Sequence, residues 1–393
     1  MKHVKFELLS DFVACGINTE NNFLTSEAFI SGAVIRAAFA KDIYLDCDIE
    51  NRDYFIELKD SPKCSDCPKR AVCASFSEMS FSFFYPENTI PAPMTTRRCK
   101  LYPKQHGIKD IMLGTDAKNL CCSDCTAEGT GRMDDAKGYI NTITNKPFAV
   151  KRSHSIHTAV NYTTRTVKDS SLFSVNAIES GQIFEGCIDD RGSGLIREGK
   201  VIYAGKYSSN GFGKLRIISV EDEPLKPDAQ ALGERIAEFT RLFKHFCPDR
   251  FRDGRLYAPI LLRAPARPDI QTDTQPLSTD AYKQLWNGLL FRNEGAVFEI
   301  ENVFARTRLY RGFDSAKRWG MWLKEPTVEV LAGSSVLVSF DKSCLDSAIA
   351  ALLDLIDNGI GRADFEAGRR DNLNGYGAVE VCAPLHLLRG KEY

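Results

Sequence analysis

Two glycine-rich loops, each running straight into a β-strand, constrain this chain more than any other feature. The first, YAGKYSSNGFG (203–213), leads into KLRIISV (214–220), and the second, from Gly359 to Gly377, leads into GAVEVCA (377–383). Glycine permits positive φ and lets a ligand approach the backbone closely, and successive exposed N–H groups can hold phosphate oxygens. A glycine turn before a strand also serves as plain turn chemistry. Neither loop is a P-loop, because no G-K-[ST] follows, and neither is a dinucleotide fingerprint, because each leads into a strand and not a helix.

The loops close two halves. A chain of 393 residues is too long for one ordinary core and suits two domains. Acid and proline gather in EDEPLKPD (221–228), which places the boundary between domains 1–222 and 223–393. The first half opens with a strand over 4–14, where MKHVKFELLSDFVAC lacks the apolar core of a signal peptide. A helix follows the break at Ser31-Gly32, with Val34, Ile35, Ala38 and Phe39 on one face. LFSVNAI (172–178) and QIFEGCI (182–188) flank Glu179-Ser180-Gly181 and read as a hairpin. The second half opens with a helix carrying Leu232, Ile236, Phe239, Phe243 and Phe246 at spacings of three and four. Strands near 258–264, 296–304 and 334–340 follow, then LDSAIAALLDLIDNG, a helix stopped by Gly359. The fold class is α+β, the same architecture twice. Residues 45–146 lack sustained periodicity and read as an insertion in the first domain.

That insertion holds most of the 13 cysteines. Without a secretory signal, such clustering favours metal over disulfides. Cys64-x2-Cys67-x5-Cys73 offers three thiolates, with Cys47 as a fourth; Cys99, Cys121, Cys122 and Cys125 form a second set. Four such ligands suit structural zinc, with iron–sulfur clusters or reduced free thiols as alternatives. A segment too irregular to bury much apolar surface gains folding energy from the metal.

Charge alone names no partner. Lysine and arginine number 51 against 52 acids, a net charge of −1, so any nucleic-acid contact must come from local patches. Residues 197–216 and 296–324 are locally basic, which also describes a solvated face. No run approaches the roughly 20 apolar residues of a membrane-spanning helix, and a cytoplasmic location is expected. His154 and His157 are the close histidine pair and the candidate general acid or base for RNA cleavage. No nearby carboxylate stands out as their partner, and H-E-x-x-H is absent.

The motifs in their order resemble the RAMP superfamily of CRISPR-associated proteins. Gly205 with Asn210-Gly211-Phe212-Gly213, and Gly359-Ile360-Gly361 with Asn374-Gly375-Tyr376-Gly377, resemble the family's G-x-G-x(n)-G-[FY]-G before a last strand. FISGAVIRAAFA (29–40) resembles its I-P-G-S-x-L-R-G-A helix start, with Arg36 retained but Ser31, Ala33 and Ala37 departing from it. The stretch from His157 to Ile188 resembles its H-T-x-I, L-F and G-x-x-F-x-G series, although Asn161-Tyr162 stands where arginine is common. Ala332-Gly333-Ser334-Ser335 resembles its A-G-S. Among members the chain is most similar to the large two-domain RAMP protein of type III-D effector complexes.

The resemblance implies two ferredoxin-like (RRM-like) domains. It implies a non-catalytic subunit that binds the 5′ repeat-derived handle of the crRNA in antiviral defence, beside other RAMP backbone subunits and a polymerase-like large subunit, with target RNA nearby. An endoribonuclease cutting guide precursor or target RNA is the alternative. The RNA-binding residues it implies are Arg36, His157, Arg165, Gly205, Lys206, Gly211, Phe212, Gly213, Lys214, Gly361, Arg362, Gly375 and Gly377.

Overall fold

The computed structural model describes residues 1–14, 17–19, 22–47, 49, 56, 58–114, 121–122, 124–125, 131–161, 163–223, 226–268, 278–291, 297–310, 326–360 and 371–392. The chain has a mixed α/β fold with several sheets and divides into two compact units. The first comprises Met1–Asn88, Ala149–Pro224 and Leu373–Gly375; the second comprises Thr89–Phe148, Leu225–Asn372 and Tyr376–Tyr393.

In the first unit the Lys2–Leu8 strand lies centrally, between Lys214–Asp222 and Ile183–Asp189, all antiparallel. Val201–Tyr203 adds to one edge and the short strands Ser80–Phe81 and Tyr85–Pro86 to the other. Alternate residues Val4, Phe6 and Leu8 are buried, as a strand with one covered face requires. The helix Gly32–Leu45 supplies Ile35, Ala38, Phe39 and Ile43 to the same core. A fully buried Ile or Phe side chain contributes about 1.5–3 kcal/mol. With the edge strand Val201–Tyr203 set aside, Lys2–Leu8, Ser80–Phe81, Ile183–Asp189 and Lys214–Asp222, taken as first to fourth, stand in the order fourth, first, third, second. No α-helix lies between the third, Ile183–Asp189, and the fourth, Lys214–Asp222.

A second sheet in this unit is built on a long hairpin, Arg152–Val160 with Val167–Ile178, extended by Phe23–Thr25 and Ile17–Thr19. The hairpin expected across Glu179-Ser180-Gly181 does not form. Val167–Ile178 pairs with Arg152–Val160, whereas Ile183–Asp189 pairs with Lys2–Leu8 in the other sheet. Asp11 and Leu8 capture the connecting turn: Ser180 N–H donates to Asp11 Oδ1 at 2.9 Å and Gly181 N–H to Leu8 O at 2.7 Å. These bonds turn the chain from one sheet to the next.

The second unit carries a sheet ordered Phe298–Phe304, Ser335–Asp341, Arg255–Leu262, Val379–Val381, antiparallel throughout. Helices Thr279–Leu290 and Leu345–Asn358 follow its first and third strands in chain order, giving β-α-β-β-α-β. The preceding helix Ala229–Phe246 is capped by Asp228, which accepts from Ala231 N–H at 2.8 Å, and buries Leu232, Ile236, Phe239 and Phe243. Residues Thr89–Phe148, read from sequence as part of a first-domain insertion, cluster here. Burial explains it: Met112 and Leu113 join the main core of this unit, and Ile90, Ala92 and Ile140 pack with Leu261, Ala383 and Leu385. Among the described residues no helix is long and apolar enough to cross a membrane.

Candidate nucleic-acid interface and metal centre

The first glycine loop folds over the hairpin sheet. Lys206 N–H donates to Val13 O at 3.0 Å, Gly213 N–H to Asp11 O at 2.8 Å, and Ala204 N–H to Gly213 O at 2.9 Å. Gly213 has φ +75°, and a Cβ there would sit 1.9 Å from Ala204 O, so the turn itself demands glycine. Gly211, with φ +91°, would meet nothing within 4 Å and opens outward.

Against this loop lies a chain of four partly exposed rings. His157 stacks on Phe173, its cross-strand partner, at 5.3 Å between centroids and 20° between planes. Phe212 lies 5.9 Å from His157, and Tyr207 lies 6.0 Å from Phe173 and 6.3 Å from Phe212. Val13, Leu24, Val175 and Ala177 form the floor beneath them. The Ser155 hydroxyl meets His157 Nε2 at 2.8 Å. Strand alternation puts His154 on the opposite, exposed face, so the two histidines do not converge on one substrate atom.

Of the nearby cations, Lys200 pairs with Asp42 at 2.9 Å and Arg216 with Glu7 at 2.5 Å. Among the described residues, Lys206, Lys214 and Arg165 have no ion pair, and Lys206 and Arg165 are exposed. In the other basic run, Arg306 pairs with Asp135 at 3.0 Å and Arg308 with Glu329 at 2.5 Å.

Arg36 and Gly375 stand elsewhere in the first unit. The Arg36 guanidinium donates to Asn374 Oδ1 at 2.8 Å, Phe76 O at 2.9 Å, Leu373 O at 3.3 Å and Met79 O, with its centre 4.9 Å from the Phe81 ring centroid. Cβ atoms at Gly32 and Gly375 would lie 2.0 Å from Phe81 O and 2.7 Å from Ser82 Cα, respectively. The helix-start motif and the second loop's N-G pair therefore interlock. In the second unit, Gly377 is held by its N–H to Pro265 O at 2.8 Å. Gly361 and Arg362 lie outside the described residues.

The cysteines gather differently from the two sequence sets. Cys99, His106, Cys122 and Cys125 place their ligand atoms within 4.8 Å of one another. Cys121 is replaced in the second set by His106, because Cys121 and Cys122 are neighbours on a strand and only Cys122 is buried. Cys99 Sγ lies 3.2 Å from Cys125 Sγ, and His106 Nδ1 lies 3.3 Å from Cys122 Sγ and 3.4 Å from Cys125 Sγ. Burial raises the Cys99 thiol, but hydrogen bonds from the Tyr102 amide and with Cys125 outweigh it and bring the thiol down to about 7. The bond with Cys99, together with burial, pushes Cys125 up to about 12.

Among the described residues, Cys47, Cys64, Cys67 and Cys73 do not form a group with ligand atoms as close as those. Lys69, between Cys67 and Cys73, reaches Asp46, the neighbour of Cys47, at 2.5 Å. Burial raises the Cys73 thiol, and Cys67, Cys47 and Cys64 raise it further.

No family model and no curated protein matches this sequence. Solved structures show distant likeness. A chain of the type III-B Cmr-beta bound to cognate target RNA and AMPPnP is 13% identical with a TM-score of 0.45, covering 96% of this chain and 94% of that chain. A chain of the Cmr-beta bound to cognate target RNA is 14% identical with a TM-score of 0.42, covering 96% and 95%. A chain of the apo Cmr-beta is 10% identical with a TM-score of 0.29, covering 55% and 95%.

Proposed function

We propose that this chain is a non-catalytic RNA-binding subunit of a type III CRISPR effector ribonucleoprotein, holding the 5′ repeat-derived handle of the crRNA. The observation that carries the reading is the ring chain His157–Phe173–Tyr207–Phe212 beside a glycine loop with an exposed, unpaired lysine. Aromatic faces stack on unpaired bases while backbone N–H groups and cations take the phosphates, which is how single-stranded RNA is bound. The order of RAMP-like motifs supports the same reading and favours the large type III-D member. The β-α-β-β-α-β order of the second unit supports a ferredoxin-like plan, with the first unit a variant that lacks the second helix. The opposed faces of His154 and His157 give the endoribonuclease alternative no assembled acid–base pair.

The test is co-purification with the neighbouring effector subunits and sequencing of the bound RNA. Discrete guides with one repeat-derived 5′ end are expected; RNA without a common end would sink the proposal. Within the complex, Phe212→Ala is expected to weaken guide retention by about 5- to 150-fold, the range for losing one base–aromatic stack. Lys206→Ala should weaken it less and reduce the slope of log affinity against log salt by about 0.7, one phosphate contact on a single strand. His154→Ala should leave retention within about twofold, since this side chain faces away from the rings.

A further inference from the structure

We propose that Cys99, His106, Cys122 and Cys125 bind one zinc ion, with His106 ligating through Nδ1 and Cys121 excluded. Three sulfurs and one imidazole nitrogen, all within 4.8 Å of one another, make a donor set too soft for magnesium or calcium, which take oxygen ligands. Three cysteines and one histidine in a closed arrangement are a recognised structural zinc set. The spacing has the shape of such a site: Cys122-x2-Cys125 forms one knuckle, and Cys99 and His106 close the loop on the other side.

The surroundings are built around this cluster. Tyr102 N–H points at Cys99 Sγ from 3.3 Å, an amide that would support a thiolate bound to metal. The Tyr102 and His106 rings lie 5.0 Å apart and tilted by 46°, so the imidazole packs against an aromatic neighbour. Gly107 N–H donates to Asp124 Oδ2 at 3.1 Å and ties the histidine loop to the cysteine knuckle. At Gly131, a Cβ would stand 2.4 Å from Cys125 Cβ and 2.9 Å from its Sγ, so no other residue leaves room for the knuckle.

The local core explains why a metal is needed. The sheet of Ile108–Asp110, Thr96–Cys99, Gly131–Asp135 and Cys121–Cys122 has strands of two to five residues. The side chains clustered inside it are Cys99, Cys122 and Cys125, with Met133 packed against them. Three thiols and a methionine bury little apolar surface where the cysteines meet, although Ile108 packs on the Ile140–Leu261 cluster, and metal ligation would add folding energy there.

The experiment compares metal content of the full chain and three variants, purified side by side and measured by elemental analysis. Because the readout is a difference between proteins, metal held by Cys47, Cys64, Cys67 and Cys73 cancels. Cys121→Ser is expected to match wild type. His106→Cys, which restores a fourth soft ligand, is expected to match it too, and after cobalt exchange its spectrum should shift toward an all-thiolate tetrahedral site. His106→Ala is expected to lose about one equivalent of zinc, or to be insoluble while His106→Cys is soluble. Loss of an equivalent in Cys121→Ser, or an unchanged cobalt spectrum in His106→Cys, would overturn the assignment.

Discussion

Gly213→Ala is expected to weaken the first unit by about 4 kcal/mol or more, or to leave it unfolded, as read by urea denaturation. The positive φ of +75° would by itself cost a side chain about 1–2 kcal/mol. The larger part is steric: the new carbon would stand 1.9 Å from Ala204 O, a backbone atom whose own residue donates back to Gly213 O. Neither side of that contact can rotate away. Gly211→Ala makes the contrast, because its side chain enters open space and carries only the φ penalty, about 1–2 kcal/mol. Equal losses at the two positions would show that the turn relaxes and that sterics do not decide it. The contrast also selects the probe for RNA contact. A bulky residue at Gly213 abolishes binding by unfolding, whereas one at Gly211 leaves the turn and blocks only what approaches from outside.

Arg36→Ala is expected to lower stability by about 3 kcal/mol, seen as a shift in the denaturation midpoint with unchanged slope. The guanidinium serves Phe76 O, Met79 O, Leu373 O and Asn374 Oδ1 at once. Removing it leaves those acceptors without this donor, and an orphaned buried group costs about 1–3 kcal/mol. Arg36→Lys should recover less than about half of the loss, because a point ammonium does not reproduce a planar fork of donors. A loss below about 1 kcal/mol would mean that water replaces the guanidinium at these acceptors and that the lock contributes little.

Much of the secondary structure was legible because periodicity and caps agree. The helix ending at Gly359 was marked by its apolar spacing and by a glycine at φ +68°. Ser335–Asp341 stood out as an apolar run, and Lys214–Asp222 as a strand directly after a glycine-rich loop. Pairing was less legible. Glu179-Ser180-Gly181 has hairpin chemistry, but Asp11, far away in sequence, decides the turn. The rings were mostly visible: His157, Phe173 and Phe212 lay in the motifs, but the stacking of Phe173 on His157 comes from hairpin register and Tyr207 enters through a backbone at φ +59°. His106 was readable as the histidine between Cys99 and Cys122, but counting cysteines alone passed over it. Arg36 looked like a phosphate ligand because conformation-blind reading sees a cation at a helix start, and the carbonyls around it come from distant segments.

The Arg36–Asn374 lock also sets an order of events during synthesis. Its partners are 338 residues apart, yet both belong to the first unit. The strand Lys2–Leu8 is synthesised well before the loop that satisfies Arg36 and fills the space beside Gly32, since Asn374 follows Arg36 by 338 residues. Domains emerging from the ribosome generally fold as they appear; this one must wait, half closed, for its last three residues. Closing so long a loop slows the final step. A first-half fragment cut at the acidic linker should therefore behave as an incomplete domain, and adding back a peptide that spans Leu373–Gly375 should raise its stability.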